Sequence, residues 1–239
     1  TAVGYGAATN NTTGSGTVAL GYDALTTNTT GDYNTALGMY ALRYNLTGAH
    51  NTATGYKALT ANTTGSYNTA TGYFTLTANT TGEYNTAAGY YSLNANTTGS
   101  HNTGYGYSAL ISNTTGAGNT ATGWRSLRAN TTGTYNNASG YQSLTSNTVG
   151  NYNTGSGYRA LYGTTTGDRN TAMGGNAGDV ITTGGNNVML GWGADPSAVD
   201  AENQIVIGYG ATGHGDNIAV IGNGSATAIH PHDDGEVDL

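Results

Sequence analysis

The sequence predicts an all-β protein, a parallel β-solenoid (β-roll) of about 13–14 coils, because a 17-residue unit repeats along nearly the whole chain. One glycine recurs at this constant interval from Gly4 to Gly208, without an insertion. A second glycine keeps the same period from Gly14 to Gly184. The unit is too short for a helix–turn–helix repeat, which takes about 30 residues or more, and the frequent Gly and Thr disfavour helix.

The composition indicates an ordered but unusually polar array. Glycine supplies 40 of the 239 residues and charged residues only 8%, yet there are 19 tyrosines. Disordered chains are typically highly charged and poor in aromatic residues, so disorder is not the favoured interpretation. The chain has no cysteine, which excludes disulfides and thiolate metal sites. No apolar run is long enough to cross a membrane, so no membrane insertion is expected.

The charge is unevenly placed. The net charge is −7, and all six Lys and Arg residues precede residue 170, whereas nine acidic residues and no bases follow from Asp179 onward. Nucleic-acid binding requires a stripe of many basic residues, so a nucleic-acid partner is not expected.

Each repeat unit has the approximate form N-T-A-x-G-Y-x-A-L-x-x-N-T-T-G-x-x. We expect two short strands and two turns per coil, one strand being the segment that ends at the Gly-Tyr step, as in residues 69–73. The Asn-Thr-Thr-Gly segments are predicted turns, because Asn tolerates left-handed backbone geometry and Gly adopts positive φ.

Stacking coils in register places equivalent residues in columns along the solenoid axis. A leucine four positions after the first glycine predicts an apolar core column, and the asparagine of the Asn-Thr-Thr-Gly segment predicts a turn ladder with shared amide hydrogen bonds. These Asn-x-Thr triplets also match glycosylation acceptors, but turn chemistry explains them. The core column is Leu25, Leu42, Leu59, Leu76, Leu93, Leu110, Leu127, Leu144 and Leu161, and the turn ladder is Asn28, Asn62, Asn79, Asn96, Asn113 and Asn130.

An aromatic residue follows the first glycine in most coils. A coil with one leucine and otherwise small residues buries little apolar area, and stacked aromatic rings suit a subunit interface, so we expect a homo-oligomer. The alternative is that the rings fold over their own coil. The predicted interface residues are Tyr22, Tyr56, Tyr73, Tyr90, Tyr107, Trp124, Tyr141 and Tyr158.

The chain divides into three predicted segments. Residues 1–184 carry the GYxAL/NTTG repeat, residues 185–229 form more apolar terminal coils, and residues 230–239 are a connector to a downstream region. Within the terminal coils Pro196 interrupts the strand pattern, and the interval from Gly208 to Gly222 is shorter than the regular period.

These residues resemble known repeats. The GYxAL-xx-NTTG-xx-NTA unit is similar to the tandem repeats of phage tail-fibre proteins, and the N-x-x-V-I-G coils near the end resemble the heads of trimeric autotransporter adhesins. The resemblance implies left-handed coils wound as a homotrimer with three chains side by side. It also implies that residues 218–239 lead toward a shaft. The 17-residue period is longer than that of the adhesin coil.

No residue pattern favours catalysis. Residues 208–213 match a dinucleotide-binding fingerprint, but an apolar strand follows where that site needs a helix. Among the isolated acids Asp23, Asp32, Glu83 and Asp168, the carboxylates of Asp23 and Asp32 are the pair that could approach each other for glycoside hydrolysis. The metal-capable cluster at residues 230–234 is interpreted as a solvated linker. We therefore expect no enzyme, no cofactor, no metal site and no catalytic residue.

The resulting functional hypothesis is an extracellular structural fibre or adhesin segment, above all part of a phage tail fibre on the virion. It would position or contribute host-surface recognition, through weak multivalent contacts with host glycans or as a pure spacer. The alternatives are a bacterial surface adhesin head and an ice-binding β-solenoid, with Thr63 and Thr64 and their copies as the ice-binding ladder. Neighbouring threonines point to opposite sides of an extended chain, which argues against the last alternative.

Overall fold

The computed structural model describes residues 1–225 as one 14-stranded parallel sheet, in which consecutive strands are neighbours from end to end. Strand pairing places Thr52 opposite Thr69, one full period further along, and only the last pair, Ile205 with Ala219, has a shorter offset. The predicted parallel β-solenoid is confirmed. The strands are Ala2–Val3 (β1), Val18–Leu20 (β2), Thr35–Leu37 (β3), Thr52–Thr54 (β4), Thr69–Thr71 (β5), Thr86–Ala88 (β6), Thr103–Tyr105 (β7), Thr120–Thr122 (β8), Asn137–Ser139 (β9), Thr154–Ser156 (β10), Thr171–Met173 (β11), Val188–Leu190 (β12), Ile205–Ile207 (β13) and Ala219–Ile221 (β14).

The expectation of two strands per coil is wrong, because each coil contributes only one short strand. The remainder of the coil passes through left-handed backbone positions such as Lys57 (φ 55°), Leu59 (φ 54°) and Tyr67 (φ 60°), which no extended strand can contain. This remainder is nevertheless bonded to neighbouring coils. The amide of Leu59 donates to the carbonyl of Thr75 at 2.9 Å, so coils are joined around their whole circumference.

The core is a thin stack of leucine and alanine. In the coil of β4 it consists of Ala53, Ala58 and Leu59, all fully buried, and the other eight leucines of the core column are fully buried as well. All nine leucines have φ between 48° and 54°. A left-handed residue costs about 1–2 kcal/mol, whereas burying a leucine stabilises by about 1.5–3 kcal/mol. Burial therefore outweighs the backbone strain.

Two buried asparagine ladders, rather than one, run along the solenoid. In the predicted ladder, the Nδ2 atom of Asn62 donates to Asn45 Oδ1 at 2.7 Å and to the carbonyl of Gly65 at 2.8 Å. In the second, Asn68 donates its backbone amide to Asn51 Oδ1 at 3.0 Å. This second ladder consists of Asn34, Asn51, Asn68, Asn85, Asn102, Asn119, Asn136, Asn153, Asn170 and Asn187, and Gln204 follows in the same column.

The expected reason for the Asn-Thr-Thr-Gly sequence is also wrong. Neither Asn62 nor Gly65 has a positive φ. The glycine is required because an added Cβ at Gly65 would lie 2.6 Å from Asn62 Oδ1 and would overlap the carbonyl oxygen of Gly82. The asparagine is required because its amide is buried and hydrogen-bonded along the stack. A buried, bonded amide cannot receive a glycan in the folded chain.

The connector predicted at residues 230–239 and the metal-capable cluster within it, at residues 230–234, lie outside the described residues, as do residues 226–229 of the terminal segment. Among residues 1–225 there is no helix long and apolar enough to cross a membrane.

Candidate binding surface on the outside of the solenoid

The outward face of the sheet is built from the first and third residues of each strand, because the middle residue points into the core. In β5 this arrangement exposes Thr69 and Thr71 on either side of the buried Ala70. Near both ends of the sheet the exposed positions become apolar, as at Val3, Leu20, Met173, Ile205 and Ile221. The face is therefore hydroxyl-rich in its middle and apolar at its ends.

The predicted aromatic column forms a stack along one border of this face. The ring centroids of Tyr73 and Tyr90 are 5.1 Å apart with an interplanar angle of 6°, and those of Trp124 and Tyr141 are 4.7 Å apart at 7°. Tyr22 stacks instead on Tyr5, because Met39 interrupts the column between Tyr22 and Tyr56. The tyrosines of the column remain partly exposed. Except where Met39 interrupts the column, each ring thus packs on the equivalent ring of the next coil, with its edge toward solvent.

A second aromatic ladder was not anticipated from the sequence. It runs along the N-terminal ends of the strands, whereas the first ladder runs along their C-terminal ends, since Tyr67 precedes β5 and Tyr73 follows it. Its members stack as closely as those of the first ladder, with 4.9 Å and 1° between Tyr67 and Tyr84. In the sequence, an aromatic residue recurs with the repeat period at the position of Tyr67. Histidine, glycine and arginine occupy the same repeat position in other coils, which obscures the pattern. The ladder comprises Tyr33, His50, Tyr67, Tyr84, His101, Tyr135 and Tyr152, with Gly118 interrupting it.

The stacking limits what the ladders can bind. Within each run of stacked rings the flat faces are occupied by neighbouring rings and, at Trp124, also by the guanidinium group of Arg125, so the surface offers mainly ring edges and phenolic hydroxyl groups. Flat sugar or base rings stack on aromatic faces, as in single-strand nucleic-acid sites. The outer surface is therefore suited to hydrogen bonding along its length rather than to ring-on-ring recognition.

The carboxylates of Asp23 and Asp32 have separate structural partners. Asp23 forms an ion pair with Arg43 at 3.0 Å. Asp32 Oδ1 accepts hydrogen bonds from the backbone amide of Ser15 at 2.7 Å and from its hydroxyl at 2.9 Å. The amide and then the hydroxyl of Ser15 lower the pKa of Asp32. Each carboxylate stabilises the contact between adjacent coils, and neither is arranged as a general acid.

Among the carboxyl groups of the described residues, that of Asp195 has the most strongly shifted pKa. Burial, and then the negative charge of Asp179, raise its pKa to about 6. Asp195 occupies the repeat position that Leu161 fills two coils earlier, and its Oδ1 has no hydrogen-bond partner among the described residues. The anionic form is thus held in a partly buried site, where backbone hydrogen bonds from Asp179 and Gly178 offset only part of the rise in the pKa.

We expect Asp195→Asn to stabilise the protein at neutral pH. The folded pKa of about 6 lies above the ordinary value of 3.8, so the favourable contribution of Asp195 is complete below pH 3.8 and is lost as the pH rises through 6. Asparagine imitates the protonated form. Thermal unfolding followed by circular dichroism should therefore give a higher Tm for the variant at pH 7.5 and an unchanged Tm at pH 3.5.

The matched control is Asp32→Asn, for which the expected change in Tm at neutral pH has the opposite sign. The pKa of Asp32 is lowered in the fold, so its contribution is present at neutral pH and is lost as the pH falls. This variant should lower the Tm at pH 7.5. Equal Tm shifts for Asp195→Asn at both pH values would contradict the assigned cause.

Neither the fingerprint at residues 208–213 nor any metal cluster forms a cofactor site among residues 1–225. Strand β13 ends at Ile207 and is followed by turn residues, whereas dinucleotide binding needs a helix N-terminus there. A cavity of about 380 Å³ opens beside this turn, lined in part by Gly210, Thr212 and His214. The described residues contain no group of three or more His, Cys, Asp or Glu side chains able to hold a metal ion.

No protein-family model, curated protein or solved structure matches this chain.

Proposed function

We propose that this chain is a structural fibre segment, part of a phage tail fibre exposed outside the cell, that positions or contributes host-surface recognition as a homotrimer. The observation that carries the proposal is the uninterrupted stack, in which 14 strands pair in sequence order. At about 4.8 Å per coil the stack extends for roughly 60 Å. A rod in which every coil is hydrogen-bonded to the next keeps its two ends at a fixed separation, as a structural fibre must.

The composition of the surface supports association between copies. Isolated exposed apolar residues are ordinary, but here they form rows at both ends of the sheet, and a run of partly exposed tyrosines follows one border. Three chains packed side by side would cover such rows. The predicted interface remains the column from Tyr22 to Tyr158.

The trimer is tested by the solution mass of the chain. We expect light scattering to give about three times 24.1 kDa, persisting on dilution. The double variant Tyr90→Ser, Tyr107→Ser should dissociate at higher concentration than the parent, because it removes two rings from the middle of the column. The matched control is Tyr67→Ser, Tyr84→Ser in the other ladder. A monomer at every concentration would contradict the trimer, and an equal effect of both double variants would contradict the chosen interface.

Location distinguishes the tail fibre from the bacterial adhesin head. An antibody raised against this solenoid should decorate purified phage particles under the electron microscope. Decoration of the bacterial envelope in uninfected cells would favour the adhesin instead.

A second candidate function, ice binding, is favoured by the threonines on the outward face of the strands rather than by the ladder of Thr63, Thr64 and their copies. Thr63 donates its hydroxyl to the carbonyl of Thr80 at 3.0 Å, so that threonine ladder is engaged in joining coils. Free threonine pairs lie instead on the strands, as in Thr52-Ala53-Thr54. The column of third strand residues is broken by Ala88 and Tyr105. Thermal hysteresis of the purified chain would support this candidate, and its absence would remove it.

A further inference from the structure

The middle of this acidic chain is locally basic. Residues 84–167 contain no Asp or Glu and three arginines, although the whole chain has a net charge of −7. We call Arg125, Arg128 and Arg159 the basic strip. Arg125 and Arg128 lie on one coil, and Arg159 lies two coils further along, in the same column as Arg125.

Aromatic rings hold two of these guanidinium groups at the surface. The Cζ atom of Arg125 is 4.2 Å from the ring centroid of Trp124, and that of Arg159 is 4.1 Å from the ring centroid of Tyr162. Arginine planes that pack on aromatic faces lose little further freedom when they bind an anion. Arg128, on the same coil as Arg125, is exposed.

The basic strip has no carboxylate partner within ion-pair distance in the described part of the chain. The ion pair found within residues 1–225 joins Arg43 to Asp23, at the other end of the solenoid. The Nε atoms of Arg125 and Arg159 are buried and lack a hydrogen-bond acceptor among these residues. Arg159 is near enough to Asp179 to oppose the rise in the pKa of that carboxyl, so the strip ends where the acidic segment begins.

We propose that the basic strip binds an acidic polysaccharide, with one sulfate or carboxylate group at the coil that carries Arg125 and Arg128 and the next at the coil that carries Arg159. The two sites are about 9.6 Å apart along the axis, because each coil rises by about 4.8 Å. Nucleic-acid binding depends on many Lys and Arg contacts to phosphate groups, whereas the strip offers three arginines. A polysaccharide that carries widely spaced anionic groups is complementary in charge to these three arginines. The inference rests on the proposed role at a host surface and assigns the chemistry of the ligand.

The test compares two triple variants of equal charge. Strip variant Arg125→Gln, Arg128→Gln, Arg159→Gln and control variant Arg43→Gln, Lys57→Gln, Arg169→Gln each remove three positive charges. Binding to immobilised dextran sulfate, to unsulfated dextran and to a single-stranded DNA oligonucleotide is measured between about 50 and 200 mM NaCl. We expect the parent chain to bind dextran sulfate and not dextran. The strip variant should bind it on the order of tenfold more weakly, because it lacks the charge-assisted contacts to the anionic groups, which solvent screens at an exposed surface.

Three outcomes would overturn the proposal: no binding of the parent to dextran sulfate, equal losses in both triple variants, or tighter binding to the oligonucleotide. Should the strip variant lose its β-sheet signal, Arg128→Gln alone replaces it, because an exposed side chain can be changed without disturbing the core. Light scattering on the same samples separates the two proposals. A trimer that does not bind dextran sulfate would support the trimeric fibre and contradict ligand binding by the basic strip. A monomer that binds dextran sulfate would support ligand binding by the strip and contradict the trimeric fibre.

Discussion

Replacing Gly72 by alanine is expected to destabilise the solenoid by about 2–6 kcal/mol, the sum of backbone strain and overpacking. Gly72 has φ of 129°, a region that is essentially restricted to glycine and costs other residues about 1–3 kcal/mol. An added Cβ would also overlap the carbonyl oxygen of Gly89 and lie 2.9 Å from its carbon. Overpacking of this kind costs about 1–3 kcal/mol more, and the obstacle is backbone, which no rotamer change can move. Urea unfolding followed by circular dichroism would measure the loss.

Gly210→Ala is the matched control for this substitution. Gly210 also has a positive φ, 59°, but an added Cβ would meet nothing within 4 Å. Its repeat position is occupied elsewhere by Lys57 with φ 55°. We expect a cost of about 1–2 kcal/mol, from the left-handed backbone alone. If both alanine variants lost the same stability, the close approach of neighbouring coils would not be the reason for the glycine column.

Asn96→Ala should destabilise the protein by about 3–5 kcal/mol, although it removes no apolar contact of consequence. The Nδ2 atom of Asn96 donates to Asn79 Oδ1 at 2.8 Å and to the carbonyl of Gly99 at 2.9 Å, and its Oδ1 accepts from Asn113 at 2.8 Å. The substitution leaves Asn79 Oδ1 without a partner, and it takes one of two hydrogen bonds from Asn113 Nδ2 and from the carbonyl of Gly99. The unsatisfied oxygen costs about 1–3 kcal/mol and each further lost hydrogen bond about 0.5–1.5 kcal/mol, so the sum exceeds the value of a single hydrogen bond. Urea unfolding gives the free energy directly.

Thr164→Asn provides the opposite test, because the ladder ends at that coil. Thr164 is fully buried, its hydroxyl has no partner among the described residues, and the same is true of Asn147 Oδ1 in the coil before. Asparagine at position 164 would donate to Asn147 and to the carbonyl of Gly167, as its counterparts do in the earlier coils. We expect a gain of about 1 kcal/mol. A loss of stability would show that the amide ladder is not the stabilising element.

Repetition made part of the surface predictable as well as the core. The leucine and first asparagine columns follow directly from the period, because residues at one repeat position must stack. The ladder of Tyr67 and Tyr84 follows from the same rule, but histidine, Gly118 and Arg169 share its repeat position and conceal the aromatic period. The number of strands per coil could not be derived in this way. Leucine is rare at positive φ, so no propensity scale would place Leu59 there.

The sequence by itself determined the period, and the period determined the parallel register and the membership of every column. Only the tertiary structure decided which columns point inward, why glycine is needed at Gly65, and how the rings of Tyr73 and Tyr90 pack. The physical reason is that side-chain direction depends on the backbone dihedrals within a coil. Those dihedrals are imposed by hydrogen bonds and steric contacts with the coils above and below, against the local preference of residues such as Leu59.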